Sequence, residues 1–494
     1  MADPGLKPRV RFAPAPSGDL HVGTVRTALY NWLLARRHGG SFIFRVEDTD
    51  ASRATDEAFH AAQDVLHWLG LDWDEGPGIG GPYAPYRQSE RLAIYAEAAT
   101  ELIDNGQAYH CYCTPEELAA RREQAAKEHR TPGYDGRCRH LTAAQIAGFA
   151  AEGRRPVVRF RMHEGATTFT DLIRGAITID HKDIPDFTLT RSDGHPLYML
   201  AATVDDVIMK MTHILRGEDL ISATPRQLAL YAALRHPEAE WPQFGHLPLI
   251  IGDDSKPLSK RNGDVSIAWY RGHGFTPEAM VNYLALLGWS MDGEHELFTL
   301  AEMVAAFSLE RVSRNPARFD LKKLEAVNGE KIRGLTPVDL ESRLLPILQE
   351  AGVVSDPLTP EQQRLLDGAI PLIQTRLVRL TEAPDLLRFL FEDELTIDHA
   401  SAAKTLLGEV APALVAARDA LEELKEWQSP EIEATLRGVL VDGLGLKPKH
   451  AFGPLRVAIT GRTVSPPLFE SMELLGREKS LARLTDAIVD IRGF

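Results

Sequence analysis

The chain has 494 residues, of which 44% are hydrophobic and 25% are charged. A chain of this length is too long to fold around a single hydrophobic core, so three to five domains are expected. A formal net charge of −15 taken alone argues against a nucleic-acid partner, but it leaves room for a local basic footprint. No apolar run approaches the ~20 residues that span a bilayer, no signal-peptide core opens the sequence, and three cysteines make no disulfide scaffold, so a cytoplasmic protein with no membrane partner is expected.

The first predicted unit is a strand, a loop, a helix and a second strand. Val10 and Phe12 alternate with arginines in a short strand. Apolar residues between positions 25 and 33 then follow the spacing of one helix face. Residues 41–46 form a second apolar strand. This order predicts the βαβ unit of a parallel nucleotide-binding sheet.

The loop inside this unit has the composition of a phosphate-binding turn. Pro14 and Pro16 hold the chain extended, and Gly18 and Gly23 let backbone approach a ligand closely. His21 lies at the start of the helix, where unpaired N–H groups favour phosphate and the imidazole can donate to a phosphate oxygen. The alternative is a proline-rich loop with a surface histidine.

An acidic stretch follows the second strand at its carboxyl end. Ligands in open α/β sheets bind beyond these ends, so Glu47 is expected to contact an ammonium group, and the planar fork of Arg11 a carboxylate. The alternative is that the acidic residues cap a helix predicted over residues 52–68, and Asp48 and Asp50 suit that function.

All three cysteines lie in two short clusters. Cys111 and Cys113 are followed, after the 24 residues from 114 to 137, by Cys138 and His140. Three thiolates and one imidazole complete a closed tetrahedral zinc site of the structural type. Reduced structural thiols remain the alternative, because Cys-x-Cys is tighter than the usual zinc-site spacing.

The middle of the chain combines short strands with a polar loop. Alternating segments between residues 156 and 196 predict a mixed α+β insertion rather than more of the parallel sheet. Residues 197–206 and 212–220 are interpreted as the return of the chain to that sheet. A strand over residues 246–251 leads into the polar loop 252–263.

Two segments are basic despite the acidic total. Residues 121–139 hold six basic and three acidic residues, and residues 311–333 hold seven and three. These clusters permit an RNA partner, although solvated charged faces are the usual explanation. From residue 336 onward strand signals nearly vanish and amphipathic helices follow, which predicts an all-helical C-terminal third.

Several motifs resemble one enzyme family. The His-Val-Gly-Thr of residues 21–24 resembles the HIGH motif of class I aminoacyl-tRNA synthetases, and residues 11–14 and 45–50 look like the bacterial glutamyl-tRNA synthetases. Pro-Leu-Ser-Lys-Arg, at 257–261, resembles their KMSKS motif. Residues 454–461 resemble the end of these synthetases, where helical domains read the anticodon.

The resemblance implies a Rossmann-type parallel-sheet catalytic domain with an α+β insertion, followed by all-helical C-terminal domains. The implied divisions are residues 1–91 with 197–252 for the catalytic domain, 92–196 for an insertion that binds the tRNA acceptor end, 253–333 for a stem-contact linker with the KMSKS-like loop, and 334–393 and 394–494 for two anticodon-binding domains.

The resemblance also implies a glutamate–tRNA ligase that uses ATP, L-glutamate and tRNA-Glu. His21, Gly23 and Lys260 would bind ATP with its Mg²⁺, and His21 and Lys260 would stabilise the charge that develops on the phosphates. The implied glutamate-binding residues are Arg11, Ala13, Ala15, Glu47, Tyr198 and Arg216, with Arg216 on the side-chain carboxylate.

One structural zinc, held by Cys111, Cys113, Cys138 and His140, is implied as well, and Tyr134 matches the same pattern. Arg376 resembles an arginine that contacts the anticodon in discriminating members, and a monomer is expected.

Three positions depart from the family pattern: Ala15 replaces a common Ser, Ala202 an Asn, and Pro257 the first Lys of KMSKS. A non-discriminating enzyme that also charges tRNA-Gln, a small-molecule adenylyltransferase and a non-catalytic RNA-binding paralogue are the other hypotheses.

Overall fold

The computed structural model describes residues 7–50, 54–128, 133–258, 266–406 and 410–493, with side chains up to residue 489. The chain forms two compact units, Met1–Trp269 with Met280–Asp320, and Tyr270–Ala279 with Leu321–Phe494. The finer five-part division stays a prediction.

The predicted βαβ unit is confirmed. Strand β1 (Arg9–Phe12) pairs in parallel with β2 (Ser41–Phe44), and helix α1 (Val22–Arg37) connects them. The helix buries the apolar face that its spacing predicted. Arg11 is buried although alternation in β1 suggested an exposed face, because a parallel sheet is covered on both sides.

A second sheet continues this layer. Its order is β6-β5-β8-β7, with β7 parallel to β8, β8 parallel to β5, and β5 antiparallel to β6. The strands are β5 (Ala166–Asp171), β6 (Gly175–Asp180), β7 (His213–Gly217) and β8 (Gln243–Leu247). The N–H of Thr212 donates to the carbonyl of Arg9 at 3.0 Å, which ties β7 to β1.

The prediction that all strands of residues 156–196 lie outside the parallel sheet is wrong. Strands β3 (Ala108–Cys111) and β4 (Val157–Phe160) do form a separate antiparallel pair. The β5–β6 hairpin, however, joins β8 at the pair Asp171 and Phe244. Local alternation indicates that a strand forms but not which sheet it joins.

The chain returns to the sheet through a helix, since residues before β7 form α6 (Tyr198–Ile208). Beyond β8 the expected single strand is interrupted at Pro248 and resumes as β9 (Ile250–Ile251), which pairs in parallel with β10 (Ala317–Arg318). Proline lacks the N–H that a central strand needs.

The first unit contains further helices around these sheets. They are α2 (Asp56–Trp68), α3 (Leu92–Asp104), α4 (Pro115–Lys127), α5 (Ala143–Ala151), α7 (Thr224–Ala233) and α10 (Leu300–Ala306). The division between the units falls within α8 (Ile267–Gly272) and α9 (Pro277–Leu286).

The proposed capping of α2 by Asp48 and Asp50 is wrong. Thr55 caps the helix and accepts the N–H of Ala58 at 3.1 Å. Asp48 instead accepts the N–H of Ser89 at 2.8 Å, and Asp50 pairs with Arg191 at 3.0 Å.

The second unit is helical throughout its described residues after Leu321, as predicted. Its helices are α11 (Leu321–Arg333), α12 (Pro337–Glu350), α13 (Pro360–Gln374), α14 (Ala383–Phe391), α15 (His399–Thr405), α16 (Ala411–Glu422), α17 (Ser429–Leu436), α18 (Pro448–Thr460), α19 (Leu468–Leu475) and α20 (Arg477–Gly493). One continuous cluster of buried apolar side chains extends from the end of α11 to α20. Within the described ranges, no helix combines the length and the apolar character needed to cross a bilayer.

Candidate functional site

A cleft with an empty volume of about 1160 Å³ opens at the carboxyl ends of β1 and β7. The first turns of α1 form one wall, and the segment on both sides of β9 forms another. Its lining includes the predicted site residues Arg11, Ala13, His21, Gly23, Glu47, Tyr198 and Arg216. The fold therefore gathers onto one cleft residues that are up to 205 positions apart in the sequence.

His21 forms the N-cap of α1. Its Nδ1 accepts the N–H of Thr24 at 3.3 Å, and its Nε2 lies 2.9 Å from the Thr24 hydroxyl. The side chain is exposed at the mouth of the cleft. A Cβ at Gly23 would lie 3.2 Å from the imidazole Cε1. Glycine at this position therefore allows the imidazole ring to lie where it does.

Described residues on both sides of Lys260 belong to the same region as His21. Pro257 and Leu258 line the cleft, and the N–H of Leu258 donates to Ile250 at 2.9 Å. At the other end, Ser266 forms a β-bridge with His21 itself. Lys260 lies outside the described residues, and it belongs to the short segment between these two ends.

A buried charge network underlies the part of the cleft that Arg11 and Glu47 line. Asp206 Oδ1 accepts from Arg11 Nε at 3.1 Å and from Arg45 Nη1 at 2.7 Å. Arg45 Nη2 donates to Glu47 at 3.0 Å. Burial raises the pKa of Glu47, although Arg45 and Arg11 act in the opposite direction. The Arg11 Nε is thus bound to Asp206, while Arg11 as a residue lines the cleft.

Arg216 is 4% exposed at the end of β7, and its five N–H groups have only neutral acceptors. Its Nε donates to His246 at 3.1 Å, and a carbonyl, two hydroxyls and an amide oxygen accept from the terminal nitrogens. Burial lowers the pKa of this guanidinium. No carboxylate in the described part of the chain pairs with it, so the cleft presents an uncompensated buried cation.

The remaining predicted contacts surround these charges. Ala13 lines the main cleft, whereas Ala15 lines a smaller adjoining cavity that shares Glu47. Tyr198 begins α6 and its hydroxyl lies 3.3 Å from Arg216 Nη1. Ala202, one turn later on the same helix, is fully buried.

The sequence analysis did not single out Arg26, which also lines the cleft. Arg26 is 3% exposed and donates to the carbonyls of Leu287, at 2.9 Å, and Pro248. The sequence could have indicated that Arg26 is buried, because an arginine one position after Val25 lies near the apolar face of α1. It holds the interruption between β8 and β9 against the helix that carries His21.

The three cysteines converge as the spacing predicted. The Cys111, Cys113 and Cys138 sulfurs all lie within 4.8 Å of one another, and the Cys113–Cys138 distance is 3.7 Å. The Tyr134 hydroxyl lies 3.4 Å from Cys111 and 3.9 Å from Cys113. His140 is exposed and lies outside this group.

In the second unit Arg376 is exposed and follows α13. Its charge acts on Arg456, whose pKa is lowered chiefly by burial and further by Arg376. The two arginines are therefore close in space, and Glu470 acts on Arg456 in the opposite direction.

Comparisons with known proteins agree with this geometry. The family described as tRNA synthetases class I (E and Q), catalytic domain, matches residues 7–326, and the family described as anticodon binding domain matches residues 339–488. Glutamate–tRNA ligases from Nocardioides sp. and Mycolicibacterium smegmatis are each 52% identical, over 97% of this chain and 98% of their own length. The crystal structure of a glutamate tRNA ligase from Elizabethkingia meningosepticum in complex with its amino acid has a TM-score of 0.86 and 31% identity, covering 98% of this chain and 100% of that one. The chain belongs to the glutamate–tRNA ligases of the class I synthetase family.

Proposed function

We propose that the protein activates L-glutamate with ATP and transfers the glutamyl group to the terminal adenosine of tRNA-Glu. The single observation that supports this most strongly is Arg216. A buried guanidinium that lines a cleft, with only neutral acceptors around it, favours a substrate that brings a carboxylate. Glutamine would bring a neutral amide in its place and leave the cation without a charged partner.

The other end of the amino acid fits the network around Arg11 and Glu47. The terminal nitrogens of Arg11 suit the α-carboxylate. Glu47 suits the ammonium group, because a cation beside it offsets the burial that raises its pKa. Ala13 and Ala15 offer backbone and little bulk, and the Tyr198 hydroxyl lies 3.3 Å from Arg216 Nη1.

ATP is assigned to the half of the cleft beside α1, accompanied by Mg²⁺. An oxygen of the glutamate α-carboxylate attacks the α-phosphorus, and the bond to the leaving pyrophosphate breaks. His21 and Lys260 stabilise the negative charge that develops on the phosphates, and Gly23 leaves room for the nucleotide. A hydroxyl of the tRNA terminal ribose then attacks the glutamyl carbonyl, and AMP leaves. No side chain acts as a nucleophile.

A structural zinc is proposed for the cysteine cluster. Tetrahedral zinc with sulfur ligands at about 2.3 Å needs sulfurs about 3.8 Å apart, and Cys113 and Cys138 are 3.7 Å apart. The geometry favours the Tyr134 oxygen at the fourth corner, whereas the family resemblance favours His140. Zinc content of Tyr134→Phe and His140→Ala decides between them, since only the true ligand lowers occupancy when it is lost.

The helical second unit and the exposed Arg376 support recognition of the tRNA anticodon, and they argue against a small-molecule adenylyltransferase. His21 and Lys260 are both present, which argues against a non-catalytic paralogue. We propose a monomer that acts in the cytoplasm, where translation takes place. Discrimination against tRNA-Gln is assigned to Arg376.

Aminoacylation with purified tRNA-Glu and tRNA-Gln, each with glutamate or glutamine, tests the proposal. We expect charging of tRNA-Glu with glutamate alone. Charging of tRNA-Gln with glutamate would identify the non-discriminating alternative. Absence of charging under every combination would refute the proposed function.

A further inference from the structure

Two residues behind Arg216 take no direct part in the proposed reaction. Asp171, the last residue of β5, and His246, on β8, have fully buried side chains. Asp171 Oδ2 lies 2.5 Å from His246 Nδ1, and His246 Nε2 lies 3.1 Å from Arg216 Nε. A buried chain of three side chains thus ends on the guanidinium that faces the cleft.

The hydrogen-bond partners fix the tautomer of His246. An arginine Nε–H can only donate, so the His246 Nε2 must accept with its lone pair. The proton of the neutral imidazole is therefore on Nδ1 and points to Asp171. Thr224 agrees with this assignment, because its hydroxyl accepts from Arg216 Nη2 at 2.9 Å and can donate to His246 Nε2 at 3.3 Å.

The contacts of Arg216 are of unequal length. Gln227 and Thr224 accept from its terminal nitrogens at 2.7 and 2.9 Å. The contacts to the Tyr198 hydroxyl and the Leu220 carbonyl are both 3.3 Å and weaker. One N–H on each terminal nitrogen is therefore loosely held, while Nε is held by His246. A carboxylate that enters the cleft can take these two N–H groups.

We propose that Asp171 and His246 are positioning residues that orient Arg216 toward the side-chain carboxylate of the amino acid. The pair supplies an acceptor behind the guanidinium and thereby directs its two loosely held N–H groups into the cleft. This inference rests on the proposed function and adds a determinant of substrate affinity that touches no substrate.

The contacts of Asp171 make one substitution decisive. Its Oδ1 accepts the N–H groups of Ile173 and Arg174, both at 2.9 Å. In Asp171→Asn these donors keep the amide oxygen at that position, so the NH₂ group faces His246 Nδ1. The imidazole must then accept at Nδ1 and carry its proton on Nε2, directly against the Nε–H of Arg216. The substitution reverses the tautomer with little change in volume.

The matched variant is His246→Gln. Its amide oxygen can occupy the position of Nε2 and accept from Arg216, although the bond to Asp171 is lost. A structural role for the pair predicts the larger defect for His246→Gln, which removes a buried ring. The positioning role predicts the larger defect for Asp171→Asn.

Steady-state aminoacylation of tRNA-Glu by the full-length chain is the test. For Asp171→Asn we expect the KM for glutamate to rise at least tenfold, with kcat changed less than threefold and the KM for ATP unchanged. For His246→Gln we expect the KM for glutamate to rise less than threefold. An unchanged KM for glutamate in Asp171→Asn would overturn the inference, as would a larger rise of that KM in His246→Gln than in Asp171→Asn. A rise in the KM for ATP as large as the rise in the KM for glutamate would overturn it too.

Two controls keep the result interpretable. Thermal unfolding verifies that each variant is folded at the assay temperature. If Asp171→Asn is not folded at that temperature, His246→Leu replaces it in the comparison. His246→Leu must then raise the KM for glutamate at least tenfold while His246→Gln does not. Equal KM values for these two variants would refute the inference. A wild-type chain that charges no glutamate would refute the proposed function and this inference together, whereas normal variants of an active wild type refute this inference alone.

Discussion

Asp206→Asn tests the charge network beneath the proposed amino-acid pocket. Asp206 has no exposed side-chain surface, and its Oδ1 serves both Arg11 and Arg45. Burial raises the pKa of this carboxyl, but the two arginines outweigh burial and the pKa lies below its usual value. The carboxylate is therefore ionised at neutral pH, and asparagine removes a charge that two buried cations share.

Loss of one partner from a buried ion pair costs about 3–5 kcal/mol. Asparagine still offers one acceptor, and Arg45 retains Glu47 at 3.0 Å. We therefore expect the free energy of unfolding of the first unit to fall by about 3 kcal/mol, the lower end of that range. Arg11 also loses its anchor, so the KM for glutamate should rise.

The assay is urea unfolding followed by tryptophan fluorescence, with Asp56→Asn as the matched control. Asp56 also pairs with an arginine, Arg87 at 2.9 Å, but its side chain is 72% exposed. An exposed pair contributes less than about 1 kcal/mol. Equal shifts of the unfolding midpoint in the two variants would refute the proposed energetic importance of the buried network.

Three further predictions concern other parts of the chain. Gly23→Ala should lower kcat roughly tenfold, because the new Cβ displaces the His21 ring. The Tm should not fall, since alanine favours the helix. An unchanged kcat would contradict this prediction. Burial lowers the pKa of His213 from 6.5 to about 4, so this side chain binds a proton more readily in the unfolded protein than in the folded one. The free energy of unfolding therefore falls as the pH drops below 6.5, by about 2 kcal/mol at pH 5. In urea titrations His213→Gln should lose less stability over this pH interval than the wild type. Arg376→Ala should raise the KM for tRNA-Glu roughly tenfold, as expected for one charged contact, and leave the KM for glutamate unchanged; a normal tRNA KM would remove Arg376 from the interface.

The parts of the fold that local pattern determines were predictable. The spacing of apolar residues after His21 predicted α1, which ends at Arg37, shortly before Gly39 with its φ of +60°. The family resemblance also implied that His21 and Lys260 act on one ligand. Lys260 lies outside the described residues, so this stays a prediction, although Pro257 and Leu258 line the same cleft as His21.

What the sequence did not predict depends on contacts between distant residues. Asp171 and His246 are 75 positions apart and meet because β5 and β8 are neighbours in a sheet. The prediction that the β5–β6 hairpin lies outside the parallel sheet was wrong for the same reason. Asp48 was misassigned because several residues near a helix start can serve as caps, and only tertiary structure shows that Ser89 occupies its oxygens.

The most direct measurement is the single-turnover rate of glutamyl-adenylate formation, with tRNA-Glu present, in His21→Asn, Lys260→Ala and the double variant. Asparagine can preserve the helix cap, so its effect reports on the imidazole. If both side chains act on the same triphosphate, each substitution should slow adenylate formation at least a hundredfold, and the double variant should lose less than the product of the two. A normal rate in either single variant would contradict the shared site from which the proposed mechanism follows.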